Sequence, residues 1–114
     1  GFSMTADTSK TFFLARTSDP LLSNLVLKQN FPNPFNQATS ISYVLLVEND
    51  VSIVIYNALG QRIKIIECGI QAPDYYVVEW DGTDYRGQSV ASGLYFYQVK
   101  TLFGKEARKM VLIR

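Results

Sequence analysis

From Leu25 onward the chain alternates short apolar runs with turn signals, and none of the runs has the 3.6-residue apolar period of a helix. The runs cover 25–29, 39–46, 51–57, 61–67, 75–80, 94–101 and 106–113. They are rich in β-branched and aromatic residues, which suit a pleated, half-buried surface. In the second run Ile41, Tyr43 and Leu45 fall on one face and Ser40, Ser42 and Val44 on the other. The same alternation turns Val51, Ile53 and Ile55 inward, then Ile63 and Ile65, then Tyr76, Val78 and Trp80. Seven short strands with turns between them predict an all-β, antiparallel sandwich. The expected core is Ile41, Tyr43, Ile53, Ile55, Ile63, Tyr76, Val78, Trp80, Tyr95 and Tyr97.

The connections carry signals of their own. Residues 30–36 read Asn-Phe-Pro-Asn-Pro-Phe-Asn. Each proline there fixes its own φ and biases the residue before it toward extended backbone. Phe31 and Phe35 are expected to peg this loop onto the core. Glu48-Asn49-Asp50 reads as a hairpin turn, and Asn57-Ala58-Leu59-Gly60 as another with Gly60 in the left-handed position. Residues 69–74 read as a loop, because Pro73 argues against continued pairing.

The longest connection, residues 81–93, separates the only tryptophan from a tyrosine-rich strand. Asp81-Gly82 is a turn signal, since glycine accepts the positive φ of a tight turn. Gly93-x-Tyr95-x-Tyr97 resembles the tyrosine corner of immunoglobulin-like sandwiches, where a Tyr early in a late strand bonds back to the preceding connection. Antibody domains place a Cys two residues further on, where this chain has Tyr97. An ordinary glycine-led strand with tyrosines on one face accounts for the same letters.

Composition removes several function classes. With 114 residues the chain makes one domain and can bury a core without metal or disulfide help. A net charge of +1 gives no reason to expect nucleic acid or an anionic membrane as the main partner. No apolar run approaches membrane-spanning length, so no membrane insertion is expected, and no signal peptide is legible. There is no histidine, which removes the commonest general base and the commonest zinc ligand. Cys68 is the sole cysteine, so no internal disulfide can form. With no histidine to activate it, Cys68 reads as a small apolar filler.

The carboxylates of the central loop are the candidates for acid–base or metal chemistry. Asp81 and Asp84 could pair as general acid and base, but no spacing signature supports it. Turn aspartates usually bond to nearby backbone amides. Asp81 and Asp84 are also the calcium candidates, with Thr83 and loop carbonyls as further oxygens, although Arg86 adds positive charge beside them. The tyrosines could stack sugars or bases, yet strand alternation assigns most of them to the core. Lys105, Arg108, Lys109 and Arg114 make the last strand basic, which also fits a solvated edge guarded against aggregation. The chain is expected to be no enzyme and to need no cofactor.

Taken in order, the motifs are Leu27-Lys28-Gln29-Asn30-Phe31-Pro32-Asn33-Pro34-Phe35-Asn36, Thr39-x-Ile41-x-Tyr43 and Ile55-Tyr56-Asn57-Ala58-Leu59-Gly60-Gln61. Then come Trp80-Asp81-Gly82-Thr83-Asp84, Gly87, Val90-Ala91-Ser92-Gly93-x-Tyr95-Phe96-Tyr97 and Lys109-Met110-Val111-Leu112-Ile113-Arg114. This series resembles the C-terminal type A sorting domain of the bacterial type IX secretion system, a family similar to the immunoglobulin-like domain of the flagellar hook-capping protein. The resemblance runs from about Leu25 to Arg114. It implies an antiparallel, immunoglobulin-like β-sandwich of about seven strands. It also implies a non-catalytic sorting signal at the C-terminus of an exported protein of a Bacteroidetes-like bacterium. The implied partners are the upstream cargo domain, the type IX outer-membrane translocon and a sortase-like peptidase that cleaves the domain off. The implied location is secreted or cell-surface, reached through the periplasm. Two positions depart from the family pattern: Gln37 stands where proline is usual, and Ala72-Pro73-Asp74 where a glycine is favoured.

The competing readings are a carbohydrate- or protein-binding accessory module of a secreted enzyme, and an assembly domain like the hook-capping one. Residues 1–22 are expected to be a linker from an upstream domain, with Gly1-Phe2-Ser3-Met4 resembling an expression scar and Phe12 to Leu14 able to add an edge strand instead. Residues 23–114 are the expected sorting domain. The expected recognition residues are Lys105, Lys109, Val111 and Arg114, on a last strand whose alternation turns Met110 and Leu112 inward and Lys109 and Val111 outward.

Overall fold

The computed structural model describes residues 24–114; the linker and the alternative strand assigned to the first residues lie outside them. Seven strands follow in order: β1 (Leu25–Leu27), β2 (Thr39–Leu45), β3 (Asn49–Asn57), β4 (Arg62–Gln71), β5 (Asp74–Trp80), β6 (Gly93–Thr101) and β7 (Gly104–Leu112). They build a three-stranded sheet, β1-β2-β5, and a four-stranded sheet, β4-β3-β6-β7. Every pairing is antiparallel. The fold is the immunoglobulin-like sandwich expected from the sequence.

Alternation sets the core. β2 buries Thr39, Ile41, Tyr43 and Leu45, and β6 buries Tyr95, Tyr97 and Val99. Val51, Ile53 and Ile55 from β3 and Met110 and Leu112 from β7 complete the apolar layer. Trp80 is 1% exposed, and its ring meets Phe35 at 5.7 Å and Tyr95 at 5.5 Å, both edge-on. Of the expected core, Ile63, Tyr76 and Val78 are only half-buried and pack against its rim, as does Cys68. The tyrosine corner is present: the Tyr95 hydroxyl donates to the Ala91 carbonyl at 2.6 Å. A second one precedes it, with the Tyr76 hydroxyl donating to Ala72 O at 2.6 Å.

Four local expectations are corrected. Glu48-Asn49-Asp50 is no hairpin turn, because β2 and β3 belong to different sheets and Asn49 and Asp50 already open β3. The Asn49 side chain instead accepts from the backbone N–H groups of Asp50 and Leu102, both at 2.9 Å, and so ties this crossing to the β6–β7 hairpin. Residues 69–71 are not loop but the end of β4, and only Ala72 and Pro73 separate it from β5. Ile65 faces outward beside Val54, because Ile63 is an extra residue at a bulge that shifts the register of β4. Phe31 is no peg: it is 79% exposed, while Phe35 alone is buried.

The sandwich has two seams where the sheets meet. Along one run β1 and β7, and along the other β4 and β5. The first is crossed by Arg108 Nε donating to Leu27 O at 3.1 Å and by Gln29 Nε2 donating to Lys109 O at 2.8 Å. The second is crossed by the Tyr43 hydroxyl, which donates to Gln71 Oε1 at 2.6 Å. Ile70, Tyr75 and Val77 remain exposed on its two strands.

Candidate functional site

The signature loops and the end of β7 meet at one end of the sandwich. The proline-rich loop is anchored from beneath by a polar knot. Tyr97, buried on β6, donates its hydroxyl to Lys28 O at 2.7 Å and accepts from Asn30 N at 2.8 Å. Asn30 is itself buried, and its Nδ2 donates to Thr39 Oγ1 at 2.9 Å and to Pro32 O at 3.2 Å. Thr39 Oγ1 in turn donates to Pro32 O at 2.7 Å, and Asn30 Oδ1 accepts from Gln29 at 2.6 Å. Burial of these groups is tolerable because each has partners. Burial also pushes the Tyr97 phenol above its ordinary pKa of 10.0.

That anchored loop then lies along the outer edge of β7. Phe35 forms a parallel bridge with Leu112. Phe35 N donates to Val111 O at 3.0 Å, Ile113 N donates to Phe35 O at 2.8 Å, and Val111 N donates to Asn33 Oδ1 at 2.9 Å. The C-terminal half of the β7 edge is thus occupied from within the chain.

Arg114 reaches the opposite way, into the loop after Trp80. Its Nε donates to Val90 O and its Nη2 to Gly82 O, both at 2.7 Å, while its backbone N donates to Ser92 Oγ at 2.8 Å. Gly82 has φ +73, and a Cβ there would sit 2.6 Å from the Arg114 guanidinium. Both the turn and the close approach of Arg114 therefore require glycine. Trp80 Nε1 donates to Thr83 O at 2.9 Å and fixes the start of the same loop.

Asp81 and Asp84 serve this loop. Asp84 Oδ1 accepts from the backbone N–H of Arg86 at 2.9 Å and of Gln88 at 3.0 Å. Asp81 Oδ1 accepts from the Thr83 hydroxyl at 2.5 Å and lies 4.0 Å from Lys64 Nζ. The Thr83 hydrogen bond, with help from the Lys64 charge, holds the Asp81 carboxyl below its ordinary range. Among the described residues no three His, Cys, Asp or Glu side chains gather where they could hold a metal ion.

The four expected recognition residues do not form one patch. Arg114 is a brace inside the motif end. Lys105 and Lys109 are exposed on the outer side of the four-stranded sheet, with Val111 half-exposed beyond them. Met110 and Leu112 are buried as alternation predicts. Sequence reasoning missed the Asn30–Thr39–Tyr97 knot. Its letters sit 67 residues apart, and only the asparagine inside the proline-rich motif hinted at it.

The fold and this loop-bound end define an immunoglobulin-like module. The family described as the FlgD Ig-like domain matches residues 36–104, more than half of the chain, and the chain belongs to that family. No curated protein matches it. Among solved structures it is similar to dimeric latent PorU from Porphyromonas gingivalis, with TM-score 0.66 and 19% identity over 78% of this chain and 9% of that one. It is similar to PorZ of the same organism, described as an essential bacterial surface component of the type-IX secretion system, with TM-score 0.54 and 22% identity over 75% and 11% of the two chains. FlgD from Pseudomonas aeruginosa matches with TM-score 0.57 and 21% identity over 76% and 73%. The chain spans about a tenth of the length of PorU and PorZ, and at these identities the likeness is one of fold.

Proposed function

We propose that this domain is a sorting signal carried by an exported cargo protein and read by a type IX outer-membrane secretion machinery. The observation that carries the reading is the convergence of its signature motifs. The Pro-Asn-Pro-Phe-Asn loop, the Trp80-Asp81-Gly82 loop and the Lys109–Arg114 ending are far apart in sequence, yet they are bonded to one another at one end of the sandwich. A core needs only Phe35, Trp80, Met110 and Leu112 from these segments. The remaining letters build the end itself, as expected of a shape to be recognised. The fold likeness to PorZ, a far longer chain described as a surface component of that system, supports the same reading.

In this reading the domain carries out no reaction. It passes through the periplasm with its cargo, presents its end to the translocon, and is removed by a sortase-like peptidase as the cargo is released or attached at the surface. The test fuses this domain to a reporter in a bacterium with a type IX machinery. Export should depend on the domain and fall when Asn33→Ala and Phe35→Ala are combined. The double variant must first be shown to keep its β circular dichroism. A reporter retained in the periplasm despite the intact domain would overturn the assignment.

A further inference from the structure

The outer face of the four-stranded sheet has a charge pattern that folding does not explain. Register places Arg62, Tyr56, Phe96 and Lys109 in one row across all four strands. That row is roughly 14 Å wide, from three strand spacings of about 4.8 Å. Toward the β6–β7 hairpin, Lys100 lies directly opposite Lys105. Like charges facing each other across a strand pair are destabilising. The one ion pair among the described residues is Lys64 with Asp81, so neither lysine is neutralised. Guarding an edge explains a lysine on β7, but Lys100 is on β6, which lies between β3 and β7.

The outward positions of β6 and β7 are Leu94, Phe96, Gln98 and Lys100, then Lys105, Ala107, Lys109 and Val111. They hold three cations and no acid. Beside them is a shallow hollow lined by Gln29, Phe96, Ala107, Arg108 and Lys109. Arg108 shares the inward side of β7 with Met110, and its Nε bond to Leu27 O turns its guanidinium toward β1, away from the outer face. An apolar floor with an ammonium at the wall suits a carboxylate side chain. An apolar centre with a charged rim is the anatomy of a protein interface.

We propose that the β6–β7 outer face docks an acidic segment of a partner protein, with one carboxylate seated in the hollow beside Lys109. This deepens the sorting reading by naming the chemistry of the partner, and it adds Phe96, Lys100, Lys105 and Lys109 to the motif end as contact residues.

The test places a photo-crosslinking phenylalanine analogue at Phe96, or at Val77 on the opposite outer face, in the reporter-fused domain inside a type IX-competent bacterium. Position 96 should yield a protein adduct whose cross-linked peptide maps to a stretch rich in Asp and Glu. The adduct should fall by at least about tenfold in the K100E/K105E/K109E variant, since three attractions become repulsions. Thermal melting of the purified variant checks that it folds. The proposal is overturned by no adduct at position 96, by an adduct indifferent to the charge reversal, by a polysaccharide or lipid adduct, or by capture at Val77 instead. Export is scored in the same cells. An adduct without export removes the sorting reading and leaves the docking face standing, while export without an adduct does the reverse.

Discussion

The two seams of the sandwich are closed by different physics. Between β1 and β7 the proline-rich loop is tied down through Asn30, Thr39 and Tyr97 and then bonded along β7 through Asn33 and Phe35. Between β4 and β5 there is a two-residue link, the Tyr43–Gln71 bond and a row of exposed apolar side chains. Apolar burial is non-directional, so it can close a seam without fixing its geometry. A satisfied polar network inside a core specifies one arrangement, because any other leaves buried groups unpaired. The chain has thus placed its geometric precision at the end that holds the signature motifs.

The largest expected effect comes from removing the apolar anchor of the closed seam. Phe35→Ala should cost roughly 3–5 kcal/mol, from lost transfer energy and the cavity left against Trp80, read by urea unfolding. A loss below about 1 kcal/mol would mean that the loop does not anchor this seam. Asn30→Ala should cost about 1–3 kcal/mol, because it strips Thr39 Oγ1 and Pro32 O of a donor inside the fold. It should also raise amide exchange of residues 31–36 without affecting β4 and β5.

Base should probe both seams. Burial raises the phenols of Tyr43 and Tyr97 above their ordinary value of 10.0. A folded-state pKa raised in this way gives stability that is fully present below pH 10 and is lost as pH rises beyond it, because the unfolded chain ionises first. Unfolding midpoints should therefore be flat up to about pH 10 and then fall. Tyr43→Phe should flatten part of that fall, since Tyr43 supplies the phenol of the open seam. At the small end, Val77→Ser on the open seam should change stability by no more than about 0.5 kcal/mol, because its side chain is 54% exposed. A larger loss would show that this face is covered in solution.

The strands were legible wherever a single period governed them. β2, β6 and β7 keep strict alternation, and their buried residues follow from it; β3 does so except at Val54, which is buried on the outward face. β4 was misread where bulges at Ile63 and Cys68 break the period, since a one-residue slip reverses every face that follows. The crossing at Asn49 looked like a hairpin because turn letters name a bend and not the sheet it leads to. Phe31 and Phe35 are alike in sequence, and only the contact with Trp80 separates them. At the candidate site, the outward lysines of β7 were legible from alternation. The bracing role of Arg114 was not, because its partners are main-chain carbonyls that carry no letter of their own.

The position of Arg114 has a consequence for the order in which this end takes shape. A ribosome delivers residues 111–114 after every other segment that they join. While they are still inside the exit tunnel, Gly82 and Val90 lack the guanidinium, and Phe35 has no strand beside it. β2, β3, β5 and β6 can already pair in that interval, so most of the sandwich can assemble with its motif end unfinished. Before residues 111–114 arrive, most of the core and the Asn30–Thr39–Tyr97 knot can form, but the bonds of Phe35 to β7 and of Arg114 to Gly82 and Val90 cannot. The motif end is therefore the last part of the sandwich to be completed, on a core whose central strands can already have paired.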